Sequence, residues 1–383
     1  MASYSSGIAP YPDQYPAAES RLLGSSGITS LIGALANRNT NRVDIPVIGD
    51  SVTCGRGATT WANTYVQQLN RAIRLAYPTT VNGSSGGQGF IPVASTDTSQ
   101  TYTYPFTNTG SLSYLDLGPV RACISMTSAW TATWTAPAGT TSVQVMYFDT
   151  SSAGVFSYKV GSGSATNVSN TGTSAELLTA SIPITSGQVL TLARVSGWVN
   201  VDGILHFAGD ETAGVTFHNC GRSGWCAGTQ NGIGWNVPEQ YALNWAQCYA
   251  AGFAGIDAIG IALGINDANT TSGLRTAAQY ASDLTALIAT IRGSSAALTT
   301  IPLMLIGEYQ SNEAFTDSGG WAAYAAALRT VAAANSNSFV VDLNYRLPPW
   351  AASANAFQYD GLHPNNLGHA LIGEIAAAGL RIA

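Results

Sequence analysis

Ser51 follows the apolar run "DIPVIG" and opens the stretch "GDSVTCG". A hydroxyl at the end of a buried strand has the placement of a nucleophile, although serine is also a common turn and helix-cap residue there. Catalysis would need a base, an acid to orient that base, and donors aimed at a developing oxyanion. The histidines stand at 206, 218, 363 and 369, and His363 follows Asp360 by three positions in "YDGLHPNNLGH". At that separation a carboxylate can hold an imidazole within one loop while the other ring nitrogen faces a serine. The same loop also reads as a helix cap, with Asp360 capping and His363 exposed. For the oxyanion, "ALGINDAN" brings Gly264, Asn266 and Asp267 to the end of an apolar run, and "HNCGRSGW" does the same for Gly224. Asn and Gly populate ordinary turns as well.

The other histidines and acids read as structural. His206 and His218 fall in or beside expected strands, and His369 lies on the last helix. Asp50 is expected to hold the turn around Ser51 by local hydrogen bonds, and Asp267 to do the same in its own block.

Those residues need elements to position them. "ITSLIGALANR" reads as a short helix leading into "DIPVIG"; then "WANTYVQQLNRAIRLAYP" repeats Trp61, Tyr65, Leu69, Ile73 and Ala76 at helical spacing and stops at Pro78. From about residue 83 to 213 the texture becomes alternating Thr, Ser, Val, Tyr and Gly, the pattern of an antiparallel β-sandwich. Strand and helix then alternate again. "GVTFHNCG", "IDAIGIALG" and "IPLMLIGE" are apolar strands, interleaved with helices over "VPEQYALNWAQCYAAG", "SGLRTAAQYASDLTALIATIRGS", "GGWAAYAAALRTVAAAN" and "NLGHALIGEIAAAGL". Such alternation implies a parallel sheet covered on both faces, with the site at the carboxyl ends of its strands.

Composition bounds the partners. The chain has 383 residues, 46% hydrophobic and 9% charged, a net charge of −6 and Lys159 as its one lysine. That length suits one large domain with an insertion or two domains, and the charge leaves no basic stripe for nucleic acid. No stretch approaches the roughly 20 apolar residues of a membrane span, and the first residues lack the pattern of an export signal. A soluble protein is expected, with an extracellular or virion-associated place kept open. The five cysteines, at 54, 123, 220, 226 and 248, give no zinc spacing, so no metal or other cofactor is expected. Cys220 and Cys226 could bridge a short loop or remain free thiols.

Taken in order, "GDSVTCGRG", "NCGRSG", "GIND" and "DGLHPN" resemble the four blocks of the SGNH hydrolase superfamily, the GDSL-type esterases and lipases, with Val52 where leucine is usual. The resemblance covers residues 28–82 and 214–383. It implies a three-layer α/β/α, flavodoxin-like fold, interrupted by an all-β sandwich at 83–213 and preceded by an arm at 1–27. It implies Ser51 as nucleophile, His363 as general base and acid, and Asp360 as the orienting carboxylate. The implied oxyanion hole is formed by the Ser51 and Gly224 N–H groups and the Asn266 side chain, with no cofactor.

For substrate, the β module carries Trp130, Trp134, Tyr147, Phe148, Phe156, Tyr158 and Trp198, and Trp225 follows Gly224. Aromatic faces suit sugar rings, though in strands they also build cores. The expectation is a carbohydrate O-acyl esterase, most simply an acetyl esterase, with Trp225 against the substrate and the module as a candidate carbohydrate-binding unit. The alternatives are a general short-chain carboxylesterase or lipase, and a glycan-binding virion or surface protein that uses the hydrolase fold as scaffold. Oligomeric state is not legible.

Overall fold

The computed structural model describes residues 25–79, 86–95, 101–150, 154–229, 234–236, 249, 253, 255–269, 274–312, 315–344, 346–347 and 356–380. Most of the helix expected over "VPEQYALNWAQCYAAG" and most of the expected arm lie outside them.

Five parallel strands form the central sheet in the order Val215–Gly221, Val43–Gly49, Ile259–Ala262, Leu303–Gly307 and Ser338–Asp342. Four were legible as apolar runs; the edge strand Ser338–Asp342 was not anticipated. Strand side chains alternate between faces, and the two cores follow that period. Ile48, Ile261, Leu305 and Val340 enter one core with Leu284, Ile288 and Leu328 of the helices Ala277–Gly293 and Gly320–Ala334. Val47, Ala262, Ile306 and Val341 enter the other, with Leu35, Leu69 and Ala376 of the helices Ser25–Ala36, Tyr65–Ala76 and Asn366–Leu380. The result is a three-layer α/β/α arrangement, and none of its described helices is long and apolar enough to cross a membrane.

Between the first two of these strands in sequence lies a β-rich module of two antiparallel sheets. Its five-stranded sheet runs Phe106–Thr109, Thr131–Thr135, Val189–Ser196, Val155–Val160, Thr166–Ser169. The seven-stranded sheet centres on Ser142–Asp149 and Val199–Phe207. All nine residues of Val199–Phe207 are buried because this sheet is covered on both sides. Val199, Val201 and Ile204 face the sandwich core, whereas Leu205 and Phe207 join the core of the α/β layers. A register irregularity between Val201 and Gly203 shifts which side chains face which core.

The module's aromatics divide accordingly. Trp130, Trp134, Tyr147, Phe148 and Phe156 are buried in these cores and offer no open face to a sugar. Tyr158 is only partly buried, and Trp198 donates from its indole to Ser125 Oγ. Cys220 and Cys226 are free and buried, so the short bridge is not formed.

Candidate active site

The sheet order places Val43–Gly49 between a strand later in the chain on each side. This is where strand order reverses, and in open α/β sheets ligands bind at the carboxyl edge there. Ser51 stands at that edge, opening the one-turn helix Ser51–Cys54. Asp50 caps it, its Oδ1 accepting from Val52 N at 2.9 Å, as the local reading expected. Gly55 ends it with φ of 99°, a left-handed conformation that costs glycine little. Absent side chains also bring the turn close to its neighbours. A Cβ on Gly221 would lie 2.3 Å from Cys54 N, and one on Gly49 would lie 2.0 Å from Thr53 Oγ1.

His363 arrives from the far end of the chain. Its Nε2 lies 2.9 Å from Ser51 Oγ, and its Nδ1 lies 2.9 and 3.0 Å from the two oxygens of Asp360. Nδ1 facing a carboxylate carries the proton, so Nε2 presents its lone pair to the serine hydroxyl. Asp360 also accepts from the N–H groups of Leu362 and His363 at 3.1 and 2.8 Å, closing the loop on itself. Burial works to raise the Asp360 carboxyl, but the bonds from His363 and Leu362 outweigh it and hold the group below the usual carboxylate range. The alternative reading of the loop, a helix cap with His363 exposed, does not hold: His363 is buried, whereas Asp360 keeps 31% of its side chain exposed, with Arg56 at 3.9 Å. Asn365, not Asp360, caps the following helix by accepting from Leu367 and Gly368.

Gly224 has φ of 79°, and space around its Cβ position is open. A side chain there is disfavoured by the backbone conformation and not by crowding. Asn266 lies in the one-turn helix Ile265–Ala268, its Nδ2 donating to Trp225 O at 3.2 Å, which orients the amide. Asp267 does not serve its own turn alone. Its carboxylate accepts from Ala227 N at 2.9 Å and so ties the Gly224 loop to the Asn266 turn.

Trp225 does not present a platform to solvent. It is 5% exposed, with the guanidiniums of Arg222 and Arg121 at 4.1 and 5.3 Å from its ring and Trp235 packed edge-on at 5.2 Å. Its contribution to the site is the carbonyl that holds Asn266.

Beneath the serine sits a feature that the sequence reading passed over. Glu308, directly after the strand Leu303–Gly307, is buried with Asp50 and Asp267. Burial pushes Asp50 and Asp267 up to about 7, and the charges of Asp50 and Asp267 add to burial in raising Glu308. The signal was available, since "IPLMLIGE" ends on a carboxylate at the same sheet edge.

The remaining histidines are structural. His218 bonds Asp44 Oδ1 at 2.8 Å and accepts from Phe90 N. His206 accepts from Gln88 N and pairs with Thr140, and burial pushes it down to about 3. His369 Nε2 bonds Arg56 O at 3.0 Å, joining the last helix to the loop after Ser51.

Residues 184–371 match the family model described as the GDSL-like Lipase/Acylhydrolase family. That span holds Gly224, Asn266, Asp360 and His363 and begins well after Ser51, from which most of the β module separates it. Across 93% of this chain and 95% of the other, the fold is similar to a solved peptidoglycan O-acetylesterase, with a TM-score of 0.58 and 15% identity. Weaker likenesses include a two-domain esterase active on acetylated mannans, at TM-score 0.40, 10% identity and 94% and 55% of the two chains. Another is a family 2 carbohydrate esterase with a carbohydrate-binding domain from Corynascus thermopiles (Myceliophthora fergusii), at TM-score 0.34, 15% identity and 70% and 98% coverage. No curated protein matches.

Proposed function

This chain is a carboxylic ester hydrolase carrying a GDSL-like lipase/acylhydrolase domain of the SGNH superfamily, and on that premise we propose that it removes acetyl groups from an O-acetylated carbohydrate, with Ser51 as nucleophile. The observation that carries the reading is the 2.9 Å approach of Ser51 Oγ to His363 Nε2 at the point where strand order reverses.

The reaction runs in two steps. As Ser51 Oγ bonds to the ester carbonyl carbon, its proton passes to His363 Nε2, and Asp360 stabilises the resulting imidazolium through Nδ1–H. The carbonyl oxygen, now an oxyanion, takes donors from the Ser51 and Gly224 N–H groups and from the Asn266 amide. Collapse of the intermediate breaks the bond to the alcohol oxygen, which leaves with the proton held by His363. Water then repeats the sequence on the acyl-serine, giving up its proton to His363 and releasing the acid and free Ser51.

Support for the acetyl and carbohydrate part comes from the relative that shares the fold along nearly the whole chain, a peptidoglycan O-acetylesterase. The test compares a chromogenic acetyl ester with its long-chain counterpart, in wild type and Ser51→Ala, followed by acetylated oligosaccharides. Turnover of the acetyl ester and of an acetylated sugar, lost in Ser51→Ala, supports the reading. Preference for the long chain turns it toward a lipase. Glycan binding without any turnover in a folded wild type would favour the scaffold alternative.

A further inference from the structure

The turn that carries Ser51 is braced from the β module. Cys54 ends the one-turn helix Ser51–Cys54, and its carbonyl, which no further helical turn satisfies, accepts from the hydroxyl of Tyr102 at 2.9 Å. Beyond the helix, Gly57 N donates to Thr101 Oγ1 at 2.9 Å, and the same hydroxyl donates to Ala58 O at 2.7 Å. Thr101 and Tyr102 are consecutive, so one short segment of the module holds the nucleophile's loop at both ends. Ring packing anchors that segment in turn. Trp61 meets Tyr102 and Tyr104 edge-on at 6.2 and 6.3 Å, and the two tyrosines stack 6.3 Å apart. Tyr104 donates to Pro92 O at 3.0 Å, in the strand Gly89–Pro92 that pairs with Val199–Phe207. Support therefore runs from the central strand of the module to the turn of the nucleophile.

The loop between those two anchor points bears directly on the serine. Gly55 N and Arg56 N both donate to Ser51 O, at 3.1 and 3.0 Å. The Tyr102 ring lies against Gly55, where a Cβ would come within 3.4 Å of Cε1. Cys54, Ala58 and Tyr102 are buried, so water does not stand ready to replace a lost partner. Removing the Thr101 hydroxyl orphans a donor and an acceptor at once. The loop has to move to satisfy them, and it takes the Ser51 carbonyl with it.

We propose that Thr101 and Tyr102 are positioning residues that set the place of Ser51, so that the β module takes part in the catalytic step itself. The inference rests on Ser51 as the nucleophile and adds what holds that nucleophile in place. A brace on the serine acts whatever alcohol the acetyl group is attached to, whereas a sugar contact acts on glycan substrates alone.

The test measures kcat and KM for Tyr102→Phe, Thr101→Val and Thr101→Ser on a chromogenic acetyl ester and on an O-acetylated xylose oligomer, with the rate at which a serine-directed organophosphonate labels Ser51. Tyr102→Phe and Thr101→Val should each lower kcat about tenfold on both substrates at steady KM, a smaller loss than a full 1 Å displacement causes. Labelling of Ser51 should slow in step. Thr101→Ser keeps the hydroxyl and should recover most of the loss. Full kcat together with a lowered melting temperature would mark a brace between the two parts of the chain and overturn the proposal. A loss confined to the xylose oligomer, or seen only as a raised KM, would mark a substrate contact and overturn it too. Should Tyr102→Phe fail to fold, Thr101→Val against Thr101→Ser decides, since that comparison turns on one hydroxyl. Turnover retained in Ser51→Ala would overturn the nucleophile reading itself, whereas unchanged kcat in the module variants with Ser51 labelled in wild type would overturn only the positioning role.

Discussion

Ser51 Oγ and His363 Nε2 lie 2.9 Å apart although 312 positions separate them in sequence. Each comes from a loop fixed by its own local bonds, Ser51 by the Asp50 cap and His363 by the Asp360 turn.

The exposure of Asp360 sets an order among the triad. A carboxylate with 31% of its side chain in water stabilises an imidazolium less than a buried one does. His363→Ala should lower kcat about 10⁴- to 10⁶-fold, and Asp360→Asn only about 10²- to 10³-fold, less than the roughly 10⁴ seen where the carboxylate is buried. Steady-state kinetics on a chromogenic acetyl ester check this, and equal losses would refute the ordering.

Asn266→Ala should lower kcat about 10²- to 10³-fold with little change in KM, since an oxyanion donor acts chiefly in the transition state. A rise in KM at constant kcat would place Asn266 in ground-state binding instead.

Gly221→Ala tests how the nucleophile is seated. The added methyl would meet Cys54 N at 2.3 Å and the Thr53 carbonyl carbon at 2.6 Å, both backbone. The Ser51 turn has to shift, and a displacement near 1 Å costs on the order of 10²-fold in kcat. Circular dichroism should show a folded protein, and an unchanged kcat would mean that the turn tolerates the shift.

The buried carboxyls predict a pH dependence of stability. Asp267 is raised to about 7 in the folded protein, first by burial, from an ordinary 3.8. The folded state therefore holds a proton that the unfolded state has lost over that interval. Its contribution is complete below about pH 4 and declines as pH rises through about 7. Asp267→Asn, which removes the titration, should gain stability relative to wild type as pH rises from 4 to 8, by a few kcal/mol at most. Denaturant titrations of both proteins across that range check it, and a constant difference would show that Asp267 does not titrate there.

What was legible in the sequence was the set of strand ends, because each joins a buried apolar run to a short polar turn. "NLGHALIGEIAAAGL" matches the last helix residue for residue. The strand Ser338–Asp342 escaped because "SFVVD" is short and directly follows an alanine-rich helix. The fate of Trp130, Trp134 and Phe148 could not be read from alternation, since their exposure depends on what covers each face of the two sheets. Asp267 reaching Ala227 is likewise a contact between loops that no local pattern records. Trp225 was read by position, and only the placement of Arg121 and Arg222 over its ring shows it to be enclosed.

The most direct test of Ser51 as nucleophile is its capture. Wild-type protein treated with a serine-directed organophosphonate should gain one adduct, mapped by peptide mass spectrometry to the peptide carrying Ser51, in step with loss of esterase activity. Ser51→Ala should gain none, and His363→Ala should label far more slowly. An adduct on a different serine, or full inactivation with Ser51 unmodified, would contradict the account.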